Sequence, residues 1–200
     1  AQVPAIVECW YCGSQAGNSI ADVVFGKVNP SGKLPFTFPV KIEDSPAHAL
    51  DAYTCGSDVK YKESIYVGYR WFDTKEIKPL FAFGHGLSYT EFEYSDFKAS
   101  SSVSANGTLK ASVKVKNIGS REGKEVVQLY IGEQSPVLDR PAKELKAFEK
   151  VSLAPGETKT VKFEIPASDL AYFNAESHSW VLDPAHTFTA YFAAASDDIR

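Results

Sequence analysis

The stretch Pro79-Leu80-Phe81-Ala82-Phe83-Gly84-His85-Gly86-Leu87-Ser88-Tyr89-Thr90 divides the chain into two parts whose apolar patterns follow different periods. Before it the residues read as strand, glycine loop and helix; after it they read as strand after strand. Phe81, Phe83 and Tyr89 are spaced to bury against a neighbour, while Gly84 and Gly86 admit positive φ or a close backbone approach that a Cβ would block. The stretch is therefore expected to be a packed hinge between two units. A glycine cradle for an anion would need a helix N-terminus directly behind it to offer free N–H groups, and a β-pattern follows instead.

Downstream, apolar residues alternate in seven short runs. Phe92, Tyr94 and Phe97 open the first; Leu109, Ala111, Val113 and Val115 mark the second; Val127, Leu129 and Ile131 the third; Leu145, Ala147 and Val151 the fourth. Val161, Phe163 and Ile165 mark the fifth, Trp180 and Leu182 the sixth, and Phe188, Ala190 and Phe192 the seventh. Turn residues separate them at Ala105-Asn106-Gly107, Asn117-Ile118-Gly119-Ser120, Ala154-Pro155-Gly156 and Asp183-Pro184. Such a series predicts a two-sheet sandwich of immunoglobulin type over residues 90–200, with Phe163 and Trp180 in its core and residues 99–200 able to fold alone.

Upstream, Val3-Pro4-Ala5-Ile6-Val7-Glu8 is a short apolar run without alternation, the pattern of a strand buried on both faces of a parallel sheet. After a loop, Ile20, Val23 and Val24 fall at helical spacing, with Ser14 or Asn18 as candidate N-caps and Gly26 as the C-terminal stop. Leu34 to Pro39 is an extended segment that its prolines confine to an edge. One strand, one helix and one edge do not cover a parallel sheet, so residues 1–40 are expected to be part of a larger α/β domain. Residues 41–89 form an aromatic strap and hinge: Tyr53, Tyr61, Tyr66, Tyr69, Trp71 and Phe72 need burial, and Ile65 to Trp71 reads as a strand against a neighbouring domain. An aromatic sugar platform on the strap is the competing function; burial is the simpler reading.

The run Phe83-Gly84-His85-Gly86-Leu87-Ser88-Tyr89-Thr90-Glu91-Phe92 resembles the junction that leads into the C-terminal fibronectin type III-like domain of family 3 glycoside hydrolases, the β-glucosidase family. Further blocks match in the same order: Trp10-Tyr11 with Gly17-Asn18 and Ile20-Ala21-Asp22, Phe25-Gly26, Asn29 to Pro35, Val67-Gly68-Tyr69-Arg70, and Gly123-Lys124-Glu125-Val126-Val127-Gln128-Leu129-Tyr130. The chain departs from the family pattern at Cys9 and Cys12, where Ala and Pro are usual, and at Ser14-Gln15-Ala16. The resemblance implies a retaining hydrolase of β-linked glucosides or oligosaccharides, with a catalytic barrel and the rest of the α/β domain as the partners of this chain. It also favours a periplasmic or secreted location.

In that family the nucleophile is an Asp on the barrel and the acid/base Glu precedes the Trp-Tyr block, so the resemblance carries no catalytic residue onto this chain. Among the acidic residues outside the sandwich, Glu8, Asp22, Glu43, Asp44, Asp51, Asp58, Glu63 and Asp73 lie in no motif that marks a nucleophile or acid. Glu63 is the one catalytic candidate to name, against the plainer reading of a solvated charge on the strap.

Cys9-x-x-Cys12 offers a thiol oxidoreductase reading, weakened by the loop expected between Cys12 and the helix; Cys55 makes the count odd. His48, His85, His178 and His186 are scattered without ligand spacing, so neither a metal nor a cofactor is expected. Asn106-Gly107-Thr108 matches a glycosylation sequon. A net charge of −4 with mixed signs gives no footprint for nucleic acid or an anionic membrane. Apolar surface left bare before residue 90 would favour association, so a homo-oligomer stays open. A sandwich that binds glycan or protein without catalysis is the remaining alternative.

Overall fold

The computed structural model describes residues 3–53, 57–182 and 185–200. The alternation after residue 90 produces an antiparallel sandwich. Strands β1 (Phe92–Ala99), β2 (Thr108–Asn117) and β5 (Thr158–Pro166) make a three-stranded sheet in the order β1-β2-β5. Strands β3 (Gly123–Gln134), β4 (Glu144–Leu153), β8 (Thr187–Ala195) and β9 (Asp198–Ile199) make a four-stranded sheet in the order β4-β3-β8-β9. The register sets Ala111 opposite Phe163 and Val113 opposite Val161 in the first sheet, and Leu129 opposite Phe192 in the second. One face of each sheet thus turns inward, and Val113, Val115, Val127, Leu129 and Leu153 are excluded from solvent. Each such side chain contributes about 1.5–3 kcal/mol.

The corner between β2 and β3 is fixed by a buried amide. Asn117 Oδ1 accepts from Thr90 Oγ1 at 2.7 Å and from the Gly119 N–H at 3.0 Å, and Nδ2 donates to the carbonyls of Arg121 at 2.7 Å and Leu153 at 2.9 Å. Both lone pairs and both protons are used, so the side chain is buried without an unmet group. The same bonds tie the last residue of the hinge to the first corner of the sandwich.

Before residue 90 the order is sparser. A 3-10 turn at Gly13–Gln15 runs into helix α1 (Ala16–Val24), which stops where Gly26, at φ +73°, donates to the Val23 carbonyl. Helices α2 (Pro46–Ala49) and α3 (Tyr69–Thr74) follow. Residues 34–38 run antiparallel to residues 80–85 through bonds from Leu34 to His85, Gly84 to Leu34 and Phe38 to Phe81, all at 2.8 Å.

The structure corrects several sequence expectations. Val3 to Glu8 is not a strand: among the described residues it has no ladder partner, and Ile6 is 63% exposed. Ile65 to Trp71 is not a strand either, because Gly68 at φ +58°, ψ −133° breaks the extended run and its carbonyl accepts from Trp71 to open α3. Helix α1 begins after Gln15 with no side-chain cap, and Asn18 bonds to the Gln15 side chain instead. Tyr53 and Tyr61 are exposed, whereas Tyr66, Trp71 and Phe72 form a small core of their own with Leu50 and Ile77.

Trp180 is 71% exposed and outside the sandwich core, because among the described residues its strand β7 (Ser179–Val181) pairs only with β6 (Tyr172–Asn174), a short strand that the sequence reading did not foresee. A segment beginning at residue 99 would lose β1, which pairs with β2 from Phe92 to Ala99. Cys55 and the turn at Asp183-Pro184 lie outside the described residues.

The two aromatic residues first assigned to the core now separate into a direct test. Phe163→Ala should destabilise the chain by about 3–5 kcal/mol, and Trp180→Ala by no more than about 0.5 kcal/mol. Urea unfolding followed by circular dichroism measures both, and equal losses would contradict the placement of Trp180 at the surface.

Candidate functional site

Strand β3 has a second covered face. Val126 to Ile131 is a continuous run, and while Val127, Leu129 and Ile131 face the core, Gln128 and Tyr130 on the opposite side are also buried. The hinge covers them. Gln128 Nε2 donates to the Ala194 carbonyl at 2.6 Å and to the Gly84 carbonyl at 3.4 Å, and Oε1 accepts from the Tyr130 hydroxyl at 2.6 Å. Gly84 stands at φ +81°, and a Cβ there would lie 2.5 Å from Gln128 Oε1. Gly86 is equally constrained, since its Cβ would collide with the Gly32 carbonyl. Both glycines are therefore demanded by contact. The Ser196 N–H donates to the Phe83 carbonyl at 2.9 Å, which seals the other side.

Helix α3 completes the cover. Tyr69 stacks on Phe83 with centroids 4.9 Å apart and meets Tyr130 edge-on at 5.7 Å, and its hydroxyl accepts from the Leu145 N–H at 2.8 Å. Asp73 pairs with Lys143 at 2.7 Å and Arg70 with Glu144 at 3.0 Å. Burial raises the Asp73 pKa, opposed by Lys143 and reinforced by Asp197. The Tyr66 hydroxyl donates to Asp139 Oδ1; burial, then this carboxylate, pushes its pKa up to about 12.

At the other end of the hinge, Lys33 Nζ donates to the Gly86 carbonyl at 2.8 Å and pairs with Glu125 at 3.3 Å, and Glu125 accepts from the Tyr94 hydroxyl at 3.1 Å. Burial raises the pKa of Glu125 more than Lys33 lowers it. Asn29 Oδ1 accepts from the Tyr89 N–H and the Ser88 hydroxyl while its Nδ2 donates to the Glu122 carbonyl.

What this docking leaves bare lies mostly before residue 90. Tyr11, Val24, Phe25, Leu80 and Leu87 are exposed, as are Trp10 and Phe36 at one end of a ladder of rings through Phe38, Phe81 and His85, with successive centroids 4.9–6.3 Å apart.

The residues singled out for chemistry are not brought together. Glu63 is half-buried in the turn before Tyr66, and among the described residues its carboxylate has no hydrogen bond or ion pair. Two clefts are present on the sandwich. One, of about 300 Å³, has no acidic residue in its lining, and the other, of about 230 Å³, has only Glu164. Neither holds the two carboxyls that glycoside hydrolysis requires, roughly 5–9.5 Å apart.

Cys9 and Cys12 are free thiols, and Cys12 Sγ lies 2.8 Å from the Cys9 carbonyl. Contrary to expectation no loop separates Cys12 from a helical turn, since it directly precedes the 3-10 turn at Gly13. Desolvation and the hydrogen bond to Cys9 raise its pKa. Among the described residues no group of three or more His, Cys, Asp or Glu could hold a metal ion.

Residues 1–89 match the glycosyl hydrolase family 3 C-terminal domain, and residues 125–196 match the fibronectin type III-like domain. The chain belongs to glycoside hydrolase family 3. It is 50% identical to a β-glucosidase of Bacteroides ovatus over 100% of this chain and 27% of the relative, and 47% identical to thermostable β-glucosidase B of Acetivibrio thermocellus over 99% and 26%. Among solved structures, β-glucosidase 3B of Thermotoga neapolitana in complex with glucose superposes with a TM-score of 0.86 at 43% identity, covering 95% of this chain and 26% of that one. The chain thus spans about a quarter of the length of the family 3 relatives it matches.

The sequence reading missed Gln128 and Tyr130 as interface residues, although their signal was present. A strand with one solvated face alternates, and Val126 to Ile131 does not.

Buried hydroxyls at this interface make the fold sensitive to alkali. Burial and neighbouring carboxylates raise the pKa of Tyr66 and Tyr94, and burial leads the rise at Tyr130. A pKa above that of the unfolded chain, about 10 for tyrosine, means stability present below pH 10 and lost as the pH rises towards about 12. Part of the tyrosinate absorbance should then appear only together with loss of the β-sheet circular dichroism. Complete ionisation before any loss of structure would place all three hydroxyls in solvent.

Proposed function

We propose that this chain serves as the C-terminal, supporting portion of a retaining β-glucosidase-like hydrolase that acts on β-linked glucosides or oligosaccharides. Residues 1–40 contribute to an α/β domain, residues 41–89 form the strap and hinge, and residues 90–200 form the sandwich. The catalytic nucleophile and acid/base belong to the barrel and the remainder of the α/β domain, not to these 200 residues. One observation carries the reading. The hinge, α3 and the sandwich dock on one another with matched polar groups, whereas the large apolar side chains of Trp10, Phe25, Phe36 and Leu87 are left exposed.

The relatives support the same assignment, since the β-glucosidases of Bacteroides ovatus and Acetivibrio thermocellus contain this region as about a quarter of their length. Glu63 takes no catalytic role in this reading, because an unpaired carboxylate in a turn lacks the partner that the reaction requires. Substrate then meets the chain only as part of the intact enzyme.

The test is turnover of a chromogenic β-glucoside by the purified 200-residue chain, with Glu63→Gln beside it. Both should be silent while the intact enzyme is active. Turnover by the chain that Glu63→Gln abolishes would overturn the assignment.

A further inference from the structure

The segment from Glu8 to Cys12 brings the side chain of one cysteine back onto another in a strained backbone. Cys9 and Cys12 are both free thiols, and the Cys12 thiol donates to the Cys9 carbonyl at 2.8 Å and interacts with the Cys9 side chain. Between them Trp10 stands at φ +47°, a left-handed conformation rare for a bulky aromatic residue. Two contacts hold it there: Glu8 Oε1 accepts from the Trp10 N–H at 3.0 Å, and the indole packs on Phe36 with centroids 5.5 Å apart. Strain of this kind persists only where the surroundings over-determine it, and it concentrates at functional segments.

What the segment carries gives a bond between the two sulfurs a consequence. Tyr11 is exposed, Trp10 stands at one end of the ladder of rings, and Cys12 directly precedes the 3-10 turn that runs into α1. A cross-link from Cys9 to Cys12 closes a ring around Trp10 and Tyr11 and removes freedom from the residues it spans. Each thiol has the other as its partner, so the bond requires nothing outside this chain.

We propose that Cys9 and Cys12 are a modification site: they form a reversible disulfide, with a small-molecule disulfide as oxidant, and the bond pins the segment that carries Trp10 and Tyr11. Cys9 is the more exposed of the two and reacts first. Its thiol gives its proton to solvent, and the thiolate attacks one sulfur of the small disulfide, breaking that S–S bond and releasing one small thiolate. Cys12, deprotonated in turn, attacks the Cys9 sulfur of the mixed disulfide, forming the Cys9–Cys12 bond and expelling the second small thiolate. The released thiolates take up the two protons, so two protein thiols lose two electrons and one small disulfide becomes two thiols. The bond ends on the chain's own segment and not on a protein substrate, which separates this site from the thiol oxidoreductase alternative. It rests on the cysteine pair and not on the β-glucosidase reading.

The full 200-residue chain, equilibrated with reduced and oxidised glutathione, quenched in acid, alkylated and digested with trypsin, tests the site. Trypsin separates residues 1–27, which hold Cys9 and Cys12, from residues 42–60, which hold Cys55. The first peptide should lose two hydrogens and escape alkylation, the ring outnumbering the glutathione adduct by at least about tenfold because its closure is intramolecular. Cys55→Ser should leave this unchanged, whereas Cys9→Ser and Cys12→Ser should give only the adduct. Equilibration in urea should lower the ring fraction. Limited chymotrypsin should cut after Trp10 and Tyr11 more slowly in the oxidised chain, with the exposed Tyr53 and Tyr61 as references in the same digest. Two adducts or a bond to Cys55 in place of the ring overturns the proposal, as does a ring fraction no higher in the native chain than in urea. Equal cleavage after Trp10 in both states overturns the pinning. None of these outcomes measures turnover, so failure of the site is distinguishable from failure of the supporting role.

Discussion

The side-chain amide of Gln128 lies on the outer face of the four-stranded sheet, almost out of reach of water, and both of its ends must be matched by protein. The sandwich supplies the Ala194 carbonyl and the Tyr130 hydroxyl; the hinge supplies the Gly84 carbonyl. That arrangement exists only because position 84 has no side chain and a left-handed backbone. Once Gly84 sits on Gln128, Phe83 is placed to stack on Tyr69, α3 is set against β3 and β4, and residues 34–38 pair with the hinge. The order of the first ninety residues follows from this seat more than from a core of their own, which consists of Tyr66, Trp71 and Phe72 with two half-buried aliphatic neighbours.

Charge reinforces the seat without being its main source of stability. Glu125 and Asp73 are both more basic than ordinary carboxylates because burial outweighs their lysine partners. A buried ion pair of this kind adds little net stability, yet removal of one partner leaves an uncompensated charge, typically at a cost of about 3–5 kcal/mol. Lys33 with Glu125 at one end of the hinge and Asp73 with Lys143 at the other therefore act mainly against misplacement. They fix where the strap lands, while Tyr69, Phe83 and Tyr130 contribute the apolar contact.

Much of this was legible in the residues. Alternation located the strands of the two main sheets apart from the two-residue β9, because a sheet with one inward face requires a period of two. Gly84 and Gly86 were readable as points of close approach, although not what approaches them. The failures have physical causes. Val3 to Val7 carries the pattern of a strand, but a strand exists only with a partner, and none of the described residues pairs with it. Trp180 looked like core because its run alternates, yet a three-residue strand paired only within its hairpin does not enter the sandwich. Ile65 to Trp71 was read as an extended run although Gly68 stands among the residues that interrupt the strap, and the Gly68 backbone in fact begins a helix. The chemistry was legible mainly as an absence of motif, and Glu63 stayed a lone carboxylate because proximity in sequence brought it no partner.

The central claim is that hinge and sandwich form one packed unit seated on Gln128, and native-state hydrogen exchange of the whole chain tests it most directly. The amides of Ser196, bonded to Phe83, and of Gly84, bonded to Leu34, report the two sides of the seat, and those of Val127 and Leu129 report the sandwich core. The account predicts that all four open with the same free energy and respond alike to denaturant, as members of one cooperative unit. Exchange of Gly84 and Ser196 through a separate opening of much lower free energy, with Val127 and Leu129 still protected, would contradict it.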